Sequence, residues 1–164
     1  MHVEHIIAIE ADDYDEAVGL TESFLGGDWD HGVQFPWSDY HGVGGRYSDK
    51  FGGGKDALCY ADNPELFDSL VAKALSAREA DLDRYLERAK ETGITLDNLK
   101  ERRGNSYDDG LWFLKKAVSI AEGDSESSAY LYDATAYTES NEYLQGRIKD
   151  DPSHQWIVVV DFHF

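Results

Sequence analysis

The run from Trp156 to Phe164 constrains the fold of this chain more than any other segment. Trp156, Val158, Val160, Phe162 and Phe164 share one face of an extended backbone, and Ile157, Val159, Asp161 and His163 share the other, because successive strand side chains point to opposite sides. Alternation with two largely apolar faces marks a strand interior to a sheet, not one with a wet face. Any fold of this chain has to build a sheet around it.

The remaining pattern supplies the other elements. Val3 to Ile9 reads as a second strand, with His2, Glu4, Ile6 and Ala8 on one side and Val3, His5, Ile7 and Ile9 on the other. Asp12, followed by Asp15, predicts a helix start with an acidic first turn, and Gly26-Gly27 predicts its end near Leu25. Glycines and aromatics then alternate, and a β-hairpin is expected around Val33 to Tyr47. Asn63-Pro64 caps a long helix whose leucines recur every three or four residues as far as about Thr92, with a break expected near Ser76. A short helix from Thr95 through Arg103 follows. Ser106 and Asp109 resemble a capping box for a further helix ending at Gly123. Ala129 to Ala136 alternates as a strand, and Ser140 to Lys149 reads as a short helix. The order is β-α-β-β-helices-β-α-β, which predicts a single α+β domain over 1–164. Its antiparallel sheet would carry helices on one face, and a ferredoxin-like arrangement with a helical insertion at about 63–123 fits the order.

Charge narrows the function classes. The 164 residues hold 33 acidic and 15 basic side chains, a net charge of -18. Phosphate backbones and anionic membranes are bound by clustered Lys and Arg, so direct nucleic-acid or membrane binding is not expected. Solubility, adaptation to a high-salt host and mimicry of a nucleic acid all produce such a charge. The last would place carboxylates where a basic partner expects phosphates, with Asp12, Asp13, Asp15 and Glu16 as the candidate patch. Glu79, Asp81, Asp83 and Glu87 are interleaved with Arg78, Arg84 and Arg88, as on a solvated helix. Cys59 is the sole cysteine. No intramolecular disulfide can form, and its apolar neighbours make it a small buried residue and not a nucleophile. The start of the chain lacks a basic stretch followed by an apolar one, and no apolar run reaches membrane-span length, so a cytoplasmic location is expected.

The most distinctive segment is Trp37-Ser38-Asp39-Tyr40-His41-Gly42-Val43-Gly44-Gly45-Arg46-Tyr47. Gly44-Gly45 allows a left-handed turn or a close backbone approach. Arg46, flanked by aromatics, suits a phosphate, a carboxylate or a base plane. Equally, Arg46 in a tight hairpin would pair with Asp39 or Asp133. No Gly-Lys-Ser/Thr follows the glycines, so this is not a P-loop, and no nucleophile motif or metal-ligand spacing occurs elsewhere. Neither a metal nor a cofactor is expected. Asp161 and His163 share a strand face, and with His41 or Asp133 they would form an acid/base or metal-binding group.

Trp37, Asp39 and Tyr40, then Gly44-Gly45-Arg46-Tyr47, then Asp161 and His163 on a closing strand, resemble a pattern in small uncharacterised phage-encoded proteins. Tyr47 stands where that group carries tryptophan. The resemblance implies a phage or mobile-element origin, and by class association an inhibitor of a host defence factor. The expectation is therefore a binding protein for a basic host-protein surface, anchored by Trp37, Asp39, Tyr40, Gly44, Gly45, Arg46 and Tyr47. A binder of a nucleotide-like small ligand at Arg46 is the alternative, and a hydrolase using a His/Asp pair is a third reading. A homodimer is compatible with the aromatic, β-rich segment but required by nothing in it.

Overall fold

The computed structural model describes residues 2–26, 40–99, 110–122, 131–132 and 141–163. The expectation of a buried central strand holds. Strand β5 (Gln155–His163) is buried at every residue up to Phe162. It pairs antiparallel along its whole length with β1 (His2–Glu10), from His2 opposite His163 to Glu10 opposite Gln155.

The opposite edge of β5 is covered by a strand in two pieces. In β2 (Tyr40–Val43), Tyr40 lies opposite His163 and Val43 opposite Val160. In β3 (Ala57–Cys59), Ala57 lies opposite Val158 and Cys59 opposite Trp156. Both pieces run the same way, and they meet at Val159. The Gly44 N–H donates to the Val159 carbonyl, and the Val159 N–H donates to the Asp56 carbonyl, each at 2.9 Å. Residues 44–56 are thus an excursion from one interrupted edge. The expected hairpin does not form among the described residues: β2 pairs with β5, and Gly44-Gly45 leads into a 3-10 turn, Gly45–Tyr47. The part of that expectation before Tyr40 lies outside the described residues.

The α+β class stands, with two refinements. The sheet is antiparallel at β1·β5, β2·β5 and β3·β5, but the two-residue β4 (Leu131–Tyr132) runs parallel to Ile6 and Ile7 of β1. The strand order β2-β5-β1-β4 places the last strand at the centre, beside the first. That differs from the expected ferredoxin-like arrangement, where every neighbour is antiparallel.

Helices also cover both faces of the sheet instead of one. On the face of Ile6, Ala8 and Ile157, helix α2 (Pro64–Glu91) packs Phe67, Leu70, Val71 and Ala74, and α4 (Asn141–Asp150) packs Leu144 and Ile148. On the face of Ile7, Val160 and Phe162 lie Phe24 and Leu25, at the end of α1 (Tyr14–Phe24), and Ile120 of α3 (Gly110–Glu122). The two apolar sides of β5 are the reason. Leaving one set wet would forfeit roughly 1.5–3 kcal/mol per large apolar side chain.

Helix boundaries follow local chemistry. The cap of α1 is Asp13, not Asp12: Asp13 Oδ1 accepts the Glu16 N–H at 2.9 Å, while Glu16 Oε2 accepts the Asp12 N–H at 2.6 Å. Asn63 caps α2 by accepting the Leu66 N–H at 3.1 Å. The expected break at Ser76 is absent, because Val71 and Ala74 before it are buried in the core and Leu82 and Tyr85 beyond it pack against the core. Thr95 and Asn98 exchange hydrogen bonds that close a turn after α2. The rest of the short helix expected there, the Ser106/Asp109 cap and most of the strand expected at 129–136 lie outside the described residues. No helix among them is long and apolar enough to cross a membrane.

Candidate functional site

Antiparallel register brings the start of β1 against the end of β5, so His2, Glu4, Asp161 and His163 occupy one face at one end of the sheet. Asp161 is the centre of the group. Its side chain is 2% exposed, and its two carboxylate oxygens accept from His2 Nδ1 at 2.9 and 3.0 Å. Oδ2 also accepts the backbone N–H of Arg46 at 2.9 Å. The rings of His2 and His163 lie 4.5 Å apart between centroids. The Tyr47 hydroxyl donates to the His2 carbonyl at 3.2 Å. Glu4, beside them, takes Lys50 Nζ at 2.6 and 2.7 Å, with Lys73 Nζ at 4.0 Å.

Gly44 and Gly45 serve this arrangement from within. Both have positive φ, 70° and 53°. A Cβ on Gly45 would lie 2.5 Å from Asp161 Cβ, and one on Gly44 would lie 2.5 Å from Asp56 Oδ2. Glycine is required here because the turn is pressed onto carboxylates, two of which fix it at either side. The backbone concavity that looks suited to an outside anion therefore already holds the protein's own Asp161 through the Arg46 N–H. The Arg46 side chain is exposed and makes no ion pair among the described residues. Partial burial, then the Asp161 and Glu4 charges, push the Tyr47 phenol above its ordinary pKa, with Arg46 acting in the opposite direction.

The sequence grouping is thus partly realised. Gly44, Gly45, Arg46, Tyr47, Asp161 and His163 converge. Tyr40 stands opposite His163 in the register. His41 does not join them: it lies opposite Phe162, on the other face, with its ring 5.7 Å from that of Phe162. An acid/base group of Asp161, His163 and His41 is therefore not assembled. Trp37, Asp39 and Asp133 lie outside the described residues. The residue that sequence reasoning missed is His2. Its side of the first strand was legible from alternation, but only the pairing of first with last strand puts it on Asp161. His5, three residues on, faces the apolar side, fully buried against the edge of Phe162, with ring centroids 4.6 Å apart. Burial pulls its pKa down to about 3, so it is neutral.

The other end of the sheet has a different character. Glu10, Asp12, Asp13, Asp15 and Glu16 are exposed where β1 gives way to α1. Asp150 and Asp151 close α4 nearby: His154 Nδ1 lies 2.7 Å from Asp151 Oδ2, and its Nε2 lies 3.7 Å from Asp12 Oδ1. The hydrogen bond and charge of Asp151, with smaller contributions from Asp12 and Glu10, raise the His154 pKa. Cys59 is buried beside this end, its Sγ 3.3 Å from the Ser153 carbonyl, and burial pushes its thiol pKa up, away from nucleophilic use. No group of three or more His, Cys, Asp or Glu among the described residues is arranged to hold a metal ion.

No family model matches the chain, and no curated protein or solved structure matches it either.

Proposed function

We propose that this chain is an acidic binding protein that docks on a basic surface of a protein partner, with carboxylates standing where that partner meets phosphates. The observation that carries the reading is the convergence of exposed carboxylates from separate segments, the β1–α1 junction and the end of α4, on one end of the sheet. In a chain of net charge -18, that end focuses a negative field able to steer and orient a basic partner. In line with the resemblance to phage-encoded proteins, the partner proposed is a host defence factor in the bacterial cytoplasm. The glycine-arginine turn contributes less as an anchor than its composition suggests, since Asp161 occupies it from inside. The same contact disfavours a ligand cradled by the Gly44-Gly45 backbone.

The test is retention of one bacterial protein on the immobilised chain, eluted with salt and compared with a variant carrying Glu10→Gln, Asp12→Asn, Asp15→Asn and Asp150→Asn. These positions leave the Asp13 cap and the Asp151–His154 pair intact. The expected result is elution at moderate salt from the parent and at least about tenfold weaker binding by the variant. Equal retention by both proteins across the salt range would overturn the reading.

A further inference from the structure

The opposite end of the sheet is organised around the pairing of His2 with Asp161. A carboxylate accepts hydrogen bonds and donates none, so the contact of both Asp161 oxygens with His2 Nδ1 fixes the proton on that nitrogen. Nε2 is then the remaining nitrogen of a side chain that is 22% exposed, and it makes no hydrogen bond or ion pair among the described residues. A buried carboxylate behind an imidazole orients the ring.

The charges around His2 are distributed to leave a cationic surface. From β5 it is faced by Asp161, which is used by His2 itself and by the Arg46 N–H, and by the His163 ring. From β1 comes Glu4, whose carboxylate is taken by Lys50, with Lys73 of α2 also close. The 3-10 turn adds Tyr47, held on the His2 carbonyl, and the exposed Arg46. Both nearby carboxylates are thus committed inward, while His2 Nε2 and the Arg46 guanidinium are left for a ligand. This is the reverse of what a chain of net charge -18 would show by default.

We propose that His2 and Arg46 form a binding site for an oxyanion, a free phosphate or the phosphate group of a small ester, with Asp161 as the residue that positions His2. The His2 Nε2 atom and the Arg46 guanidinium each hydrogen-bond a separate oxygen of the ligand, the guanidinium by a charge-assisted bond. Asp161 keeps the ring turned outward and does not touch the ligand. The site is independent of the acidic docking end, and either can fail without the other.

The experiment is nitrogen-15 NMR of the histidine rings during titration with inorganic phosphate, and separately with a nucleoside monophosphate. The expected result has three parts. In the neutral state His2 is the Nδ1–H tautomer. Phosphate shifts its Nε2 saturably. Arg46→Ala, at an exposed side chain, weakens binding by about tenfold without moving the melting temperature. A tighter complex with the monophosphate assigns the site to phosphate esters, and equal affinity assigns it to the free ion. An Nε2–H tautomer, no saturable shift, or equal phosphate affinity in parent, His2→Gln and Arg46→Ala overturns the proposal and leaves the His2–Asp161 contact as a structural link between strands.

Discussion

The two ends of the β1·β5 pair treat carboxylates in opposite ways. At the Glu10 end, acidic side chains point to water and share a single histidine, His154, whose pKa they raise. At the His2 end, Asp161 is buried and fully engaged, and His5, on the other face, is held neutral. One pairing of two strands thus produces an end organised by solvation and an end organised by internal hydrogen bonds. Net charge speaks to the first and is silent on the second.

Acid should separate the ends most sharply. The folded pKa of His5 is about 3, below its ordinary 6.5, so the unfolded chain binds a proton that the folded chain refuses. Stability from this group is complete above pH 6.5 and falls at roughly 1.4 kcal/mol per pH unit as the pH drops toward 3. Urea unfolding across that window should show the slope, and His5→Phe should flatten it. A parent protein as stable at pH 4 as at pH 7 would contradict a neutral buried His5.

Removing the centre of the closed end is next in size. Asp161→Ala strips the acceptor from His2 and from the Arg46 N–H and should cost roughly 3 kcal/mol in chemical denaturation. Asp12→Ala, exposed at the open end, should change stability by less than about 0.5 kcal/mol. Comparable losses in the two variants would erase the contrast.

A smaller effect tests the turn. Gly45→Ala sets a Cβ against Asp161 at positive φ and should cost roughly 2–3 kcal/mol. Gly52→Ala, also at positive φ but with no atom within 4 Å of its Cβ, should cost about 1 kcal/mol. Equal melting temperatures for these two would mean that the turn is not pressed onto Asp161.

The smallest effect lies at the open end. The folded pKa of His154 is raised, so its pairing with Asp151 stabilises the fold below the ordinary histidine pKa and is lost as pH rises through the raised value. His154→Ala should lower the melting temperature slightly at pH 6 and leave it unchanged at pH 9. NMR titration of the ring checks the sign directly.

Much of the scaffold was legible because local rules govern it. Alternation gave β5 and β1, and the Asn63-Pro64 cap gave the start of α2. What was not legible depends on which distant strands meet. The interrupted edge joins Val43 to Ala57 across Val159, and no local signal distinguishes that from a hairpin. The second helical layer followed from the same apolar faces that marked β5 as interior, but one-sided packing was expected from element order instead. At the site, Gly44-Gly45 signalled a close approach without saying to what. His2 showed no motif at all, since its partner lies 159 residues away in the chain.

That separation bears on how the molecule is made. The central ladder joins residues 2–10 to residues 155–163, so neither core layer can close until the last strand has been synthesised. Loop-closure entropy grows only slowly with length, but it has to be met before these contacts form, and folds dominated by such distant pairings assemble slowly. On the ribosome, β1 would wait as an unpaired apolar strand while everything between it and β5 emerges. Through that interval the run Ile6 to Ile9 has no partner strand, and the acidic residues that follow it from Glu10 to Glu16 are charges of the kind that discourage association with other nascent chains.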